Sequence, residues 1–188
     1  MSLIAWITKG SNNCSRILVT AVVFLVTAAV VNARPSSHYS AQKRGTGVKF
    51  YVLSESDFCS YLPKEPGQLI SESEDDATAF CTVSHDDQTE TFPEGFIKSA
   101  HFYQTSSFVQ VTGQIDHTAY DIQTGDGGGQ YDQKNLPNAV CNDNLKYWVN
   151  VIEPDSDRFC IRCCEKKEDC NIGISTYGCE RIVPGDYD

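Results

Sequence analysis

The sequence predicts a mainly β domain, a compact antiparallel β-sandwich or partly closed barrel with one short helix, stapled by disulfides. Three observations carry this. The stretches GFIKSAHFYQTSSFVQVTGQID (95–116) and KYWVNVIEPDSDRFCIRCC (146–164) each read as two alternating strands around a polar turn. Eight cysteines follow an apolar leader, an even number in a chain routed to an oxidising compartment. A helix-start signature next to helical spacing occurs once, near residue 71.

In chain order, residues 17–31, ILVTAVVFLVTAAVV, form an uncharged apolar run preceded by Lys9 and Arg16 and followed by Asn32-Ala33. As a helix it rises about 22 Å, short of the roughly 30 Å of a bilayer core. Residues 1–33 therefore read as a signal peptide cleaved after Ala33, with an uncleaved anchor as the rival. Cys14 leaves with it. Residues 34–46 read as a flexible tail or a short propeptide ending at Lys43-Arg44, and residues 47–188 as a single disulfide-rich β domain.

VKFYVL (48–53) is a strand of branched and aromatic residues. Ser71 and Glu74 form a capping box, and Ala77, Phe80 and Cys81 share a face at helical spacing, which predicts the short helix over 71–81. In the first hairpin, a Thr105-Ser106 turn sets Phe102 opposite Val109, Ala100 opposite Val111 and Phe96 opposite Ile115. Ser99, His101, Gln110 and Thr112 then lie on a polar face. In the second, a turn at 154–157 sets Ile152 opposite Phe159 and Asn150 opposite Ile161. Val149 and Val151 occupy the reverse side, so both faces are apolar and the pair is central. GCERIVPGDY (178–187) is expected to add an edge strand that Pro184 ends.

Thiolates at the spacing of Cys160, Cys163 and Cys164 could hold zinc, exchange disulfides or serve as staples. Along a strand Cys160 stands about 10 Å from Cys163 and about 13 Å from Cys164, beyond the roughly 7 Å a disulfide spans. The three must reach outward to three of Cys59, Cys81, Cys141, Cys170 and Cys179, and the remaining two pair with each other. The expectation is four structural disulfides, no metal and no cofactor.

DIQTGDGGGQYD (121–132) is the second candidate. Its glycines suit a surface turn with positive φ. As a ligand-contacting loop it would offer Asp126, Gln130, Tyr131 and Asp132. A calcium reading would use Asp121, Asp126 and Asp132, but the spacing matches neither an EF-hand nor a phosphate loop. His85, His101 and His117 fall in no recognisable catalytic pattern, so no catalytic residue is assigned. Tyr131, Tyr147, Trp148 and Tyr177 could stack on sugars, although Trp148, in a strand apolar on both faces, reads as core.

The chain carries 25 acidic against 15 basic residues, a net charge of −10, and removal of the leader deepens it. Such a surface repels nucleic acid and anionic membranes. No N-x-S/T site occurs after Ala33.

The blocks GFIKSAHFYQTSSFVQVTGQID, GDGGGQYD, FCIRCC and YGCERIVPGDYD resemble a family of secreted fungal proteins labelled macrophage-activating glycoprotein, over roughly residues 50–188. The resemblance implies a secreted fungal β domain and no catalytic residue. The expected function is that of a secreted non-enzymatic protein, cell-wall-associated or binding carbohydrate or a host surface molecule, with no nucleic acid or membrane partner in the mature form. The alternative is a small secreted polysaccharide hydrolase using an Asp/Glu pair; a third reading is a structural wall component.

Overall fold

Strand pairing grows outward from the second hairpin in a computed structural model that describes residues 48–188. The expected signal peptide, the tail over 34–46 and Cys14 lie outside the described residues. Eleven strands are formed: β1 Lys49–Phe50, β2 Val52–Ser54, β3 Asp57–Pro63, β4 Ala77–Cys81, β5 Glu90–Thr91, β6 His101–Gln104, β7 Phe108–Gln114, β8 Gly129–Asp132, β9 Val140–Cys141, β10 Tyr147–Glu153 and β11 Arg158–Cys164. A single helical turn, α1, spans Gly178–Ile182.

β10 and β11 pair with Ile152 opposite Phe159 and Asn150 opposite Ile161, the register the sequence predicts. A 3-10 turn, Pro154–Ser156, followed by Asp157 in the left-handed region, closes the hairpin. The pair sits centrally in a five-stranded antiparallel sheet ordered β6-β7-β11-β10-β8. The first hairpin forms with its register moved by two: Phe102 faces Val111 and Gln104 faces Val109. Its turn lies at Ser106-Ser107, because the Thr105 hydroxyl accepts hydrogen bonds from the amides of Ser107 and Phe108, each at 3.1 Å. A shift of two preserves the faces, so the predicted division between apolar and polar sides survives. Ile97, rather than Phe96, bridges Ile115.

A second sheet, β2-β3-β4-β5, packs against the first as a sandwich, and neither closes into a barrel. Here the helix expected over 71–81 is overturned. Only Ile70–Glu72 makes a helical turn, of 3-10 type and without a side-chain cap. Ala77–Cys81 is a strand, paired with β3 so that Cys59 stands opposite Cys81. Thr78, Ala79 and Phe80 gain more from burial on a pleated surface than from three turns of exposed acidic helix. Glu74, the expected capping residue, instead accepts the Gln130 amide at 2.9 Å.

Two apolar layers result. Between the sheets, Phe50, Phe58, Tyr61, Leu62, Trp148, Ile152 and Phe159 are fully buried. Tyr61 stacks on Trp148 and Phe58 on Phe159, at ring distances of 4.9 and 5.5 Å. Each such side chain contributes roughly 1.5–3 kcal/mol. The opposite face of the five-stranded sheet offers Val149, Val151, Cys160 and Cys164, and the segment after β11 covers them with Cys179, Ile182, Val183 and Tyr187. The expected last edge strand is therefore α1. Cys179 must reach Cys160, and the Glu153 carboxylate accepts the Cys179 amide at 3.0 Å, which fixes a helical turn there.

The cysteines of β11 do reach outward. Alternation sends Cys163 to the inner layer, where it bonds Cys141. Cys160 and Cys164 point to the outer layer and bond Cys179 and Cys170. Cys59 and Cys81 form the fourth bond, across two neighbouring strands.

Candidate functional site

The glycine-rich loop turns its polar side chains inward. Asp126 accepts the amides of Ile70 at 2.9 Å and Gly128 at 2.8 Å and is buried. Gln130 donates to Asp132 at 2.6 Å and to the Ile172 carbonyl at 3.1 Å. Asp132 also accepts the amides of Lys134 and Asn135. The Tyr131 hydroxyl lies 2.7 Å from the Ser73 hydroxyl, and burial pushes its pKa up. All four candidate ligand residues are thus buried and held by internal partners, tying β8 to the 70–73 turn. Asp121, with φ of 52°, ends a separate turn over His117–Tyr120. Among the described residues no three His, Cys, Asp or Glu side chains converge as metal ligands would.

Gly128 shows why the loop needs glycine. Its φ is +80°, and a Cβ there would stand 2.0 Å from the Ile152 carbonyl oxygen. Beside it lies a cleft of about 220 Å³ bordered by Glu74, Gly127–Gly129, Glu153, Ser175 and Thr176. Both carboxylates there already accept main-chain amides, of Gln130 and Cys179.

The histidines are apart. His85 lies 2.7 Å from Asp57 with its ring on Tyr51, and His117 lies 2.6 Å from Asp157 at the foot of the second hairpin. His101 projects from β6 into a larger cleft of about 470 Å³ on the polar face of the first hairpin.

That cleft is built from β6, β7 and the last residues of the chain. Side chains of Gln110 and Thr112 donate to the main-chain carbonyls of Pro184 and Asp186, laying residues 184–186 across β7. Gly185 permits the close approach: a Cβ would stand 2.7 Å from the Thr112 hydroxyl oxygen. His101 Nε2 is 2.7 Å from the Asp188 carbonyl, an acceptor, so this nitrogen carries a proton. Its Nδ1 lies 3.8 Å from the Asp186 carboxylate. Arg162 sets the floor by donating from Nε and Nη2 to the Gln110 carbonyl oxygen at 2.9 and 2.7 Å, with its guanidinium 4.2 Å over the Phe108 ring. Burial lowers the Arg162 pKa, yet the group keeps its third link, to the Asp169 carbonyl.

The rim holds two groups that face solvent freely, the Tyr103 residue at 57% exposure and the Asp186 side chain at 63%. Glu55, from the β2–β3 turn, completes it. An exposed ring set beside carboxylates and an imidazole offers one stacking surface and several hydrogen-bonding groups at its edge.

Of the aromatics singled out by sequence, Tyr131 and Trp148 are core, Tyr147 is half-buried and Tyr177 is exposed on the 3-10 turn Ser175–Tyr177. Tyr103, Glu55 and Asp186 escape that reading. Tyr103 carries a signal all the same: with Phe108 it is one of two aromatic residues that alternation places on the polar face of the first hairpin, alongside His101, Gln110 and Thr112, and of the two it is the exposed one.

Comparison with curated proteins finds two fungal relatives from Mycosarcoma maydis. Appressorium protein ROW1 is 29% identical over 158 residues, covering 73% of this chain and 36% of its own. Appressorium protein ROW2 is 28% identical over 158 residues, covering 73% of this chain and 53% of its own. The chain thus spans about a third to a half of these relatives. They carry the appressorium name rather than that of the macrophage-activating glycoproteins. No protein-family model matches the chain, and no solved structure does.

Proposed function

We propose that this chain is a secreted, non-enzymatic protein of the fungal surface, at the cell wall or the host contact, and that it binds carbohydrate in the cleft between the first hairpin and residues 184–186. The observation that carries the reading is the exposed Tyr103 ring set beside His101 and Asp186. Relatives named for the appressorium support an extracellular role. Four disulfides support folding in an oxidising compartment. On this reading the leader is cleaved after Ala33, residues 34–46 are a tail or propeptide, and residues 47–188 act as one domain. The resemblance to macrophage-activating glycoproteins then reflects a common plan of secreted fungal β domains.

The test is sedimentation with insoluble wall polysaccharides. The secreted protein is expected to co-sediment, release no reducing sugar, and lose about tenfold in affinity on Tyr103→Ala, the value of about 1.4 kcal/mol for an aromatic contact. Sugar release abolished by Glu74→Gln or Glu153→Gln would replace binding with hydrolysis at the smaller cleft. Absence of binding to every polymer would remove the carbohydrate reading.

A further inference from the structure

We infer that the cleft selects sugars bearing a free amine, so that its ligand class is the cationic aminohexose oligomer rather than a neutral or acidic glycan. The inference rests on the carbohydrate reading above and concerns the same site.

The rim supplies two carboxylates, Glu55 and Asp186, and neither lysine nor arginine lines the cleft. Glu55 is exposed and has no hydrogen-bonding or ionic partner among the described residues. The Asp186 carboxylate has one basic neighbour, His101 at 3.8 Å, and otherwise accepts the Asp188 amide. The cation nearest the floor, Arg162, is unavailable to a ligand: its nitrogens donate to Gln110 and Asp169, and Phe108 lies against its face. Apart from the His101 imidazole no basic side chain lines the cleft, so a cationic ligand can supply the counter-charge to Glu55 and Asp186.

Tyr103 fits the same charge. A tyrosine ring attracts an ammonium through its quadrupole and stacks on a pyranose face, so an aminohexose satisfies ring and rim together. A neutral hexose, or one whose amine is acetylated, keeps only the stacking. A uronic acid meets repulsion from Glu55, Asp186 and a chain of net charge −10.

The experiment is titration of the intact secreted protein with a fully deacetylated chitosan hexamer and with the fully N-acetylated hexamer. The inference expects at least tenfold tighter binding of the deacetylated oligomer. Glu55→Gln and Asp186→Asn are each expected to reduce that preference severalfold while leaving the acetylated affinity unchanged. Tyr103→Ala should weaken both. Asp75→Asn, an exposed carboxylate outside the cleft, should change neither. Equal affinity for the two oligomers, still dependent on Tyr103, overturns the amine preference and leaves the carbohydrate reading in place. A preference that Asp75→Asn lowers as much as Asp186→Asn also overturns it, because attraction is then to overall charge. Failure to bind either oligomer or any neutral wall glycan overturns the reading itself.

Discussion

The side-chain oxygen of Asn150 stands 2.6 Å from the main-chain nitrogen of Tyr61, which joins the two sheets through the middle of an otherwise apolar layer. The same oxygen accepts the Ser60 hydroxyl at 3.1 Å, and the Asn150 amide nitrogen donates to the Cys160 carbonyl at 2.9 Å. A buried carboxamide with its donors and acceptor satisfied specifies how β3 registers over β10. Asn150→Ala takes the acceptor from the Tyr61 amide and the Ser60 hydroxyl inside the buried layer and removes the added bond to the Cys160 carbonyl. We expect a loss of roughly 3 kcal/mol or more, read as a lower urea midpoint at unchanged m.

Three of the four disulfides close loops of 19 to 22 residues and the fourth a loop of 6, and loop closure in the unfolded chain sets how much each constrains it. Replacing Cys141 and Cys163 together by alanine, a separation of 22 residues, is expected to cost about 3 kcal/mol. Replacing Cys164 and Cys170, a separation of 6, should cost about 2 kcal/mol. Chemical denaturation of the two double variants checks the order, and peptide mapping of the unreduced protein checks the pairing.

Alkaline stability follows from buried tyrosines. Burial raises the pKa of Tyr61, Tyr131 and Tyr187 above their unfolded value near 10. Above that pH the unfolded state releases protons that the folded state keeps, so stability falls as pH rises and is unaffected below. Each tyrosine contributes about 1.4 kcal/mol per pH unit to the decline. Stability measured between pH 9 and 12 should drop steeply, and Tyr61→Phe should flatten the slope by about a third. The Tyr61 hydroxyl has no hydrogen-bond partner among the described residues, so that variant is expected to lose little at neutral pH.

Gly128→Ala tests the reading of the glycine-rich loop as a structural turn. The added Cβ meets the Ile152 carbonyl and the positive φ disfavours alanine, so about 2 kcal/mol or more should be lost. Gly127→Ala, where a Cβ meets nothing within 4 Å, should be tolerated. Thermal melts of the pair separate the two cases.

How much of this is legible in the sequence depends on the element. The second hairpin is legible to the residue pair, because Phe159 and Ile161 alternate against Asn150 and Ile152 and the turn PDSD is short. The outward pairing of Cys160, Cys163 and Cys164 follows from strand spacing, but their partners follow only from the sheet order. The strand at 77–81 is misread because Ser71 and Glu74 imitate a cap, while the partner that decides the matter, β3, lies about twenty residues earlier. The helical turn at 178–182 depends on a disulfide and a glutamate from β10, neither visible locally. The cleft is the least legible part: Glu55, Tyr103 and Asp186 come from three separate stretches, and alternation marks Tyr103 only together with Phe108, as aromatics on a polar face.

The claim that the cleft on the first hairpin binds carbohydrate is tested most directly by mapping amide chemical shifts of the secreted protein during titration with wall-derived oligosaccharides. The account predicts saturable changes centred on Glu55, His101, Tyr103 and Gly185–Asp186, lost in Tyr103→Ala. Changes centred on Glu74, Gly127–Gly129 and Thr176, or none with any oligosaccharide, would contradict it.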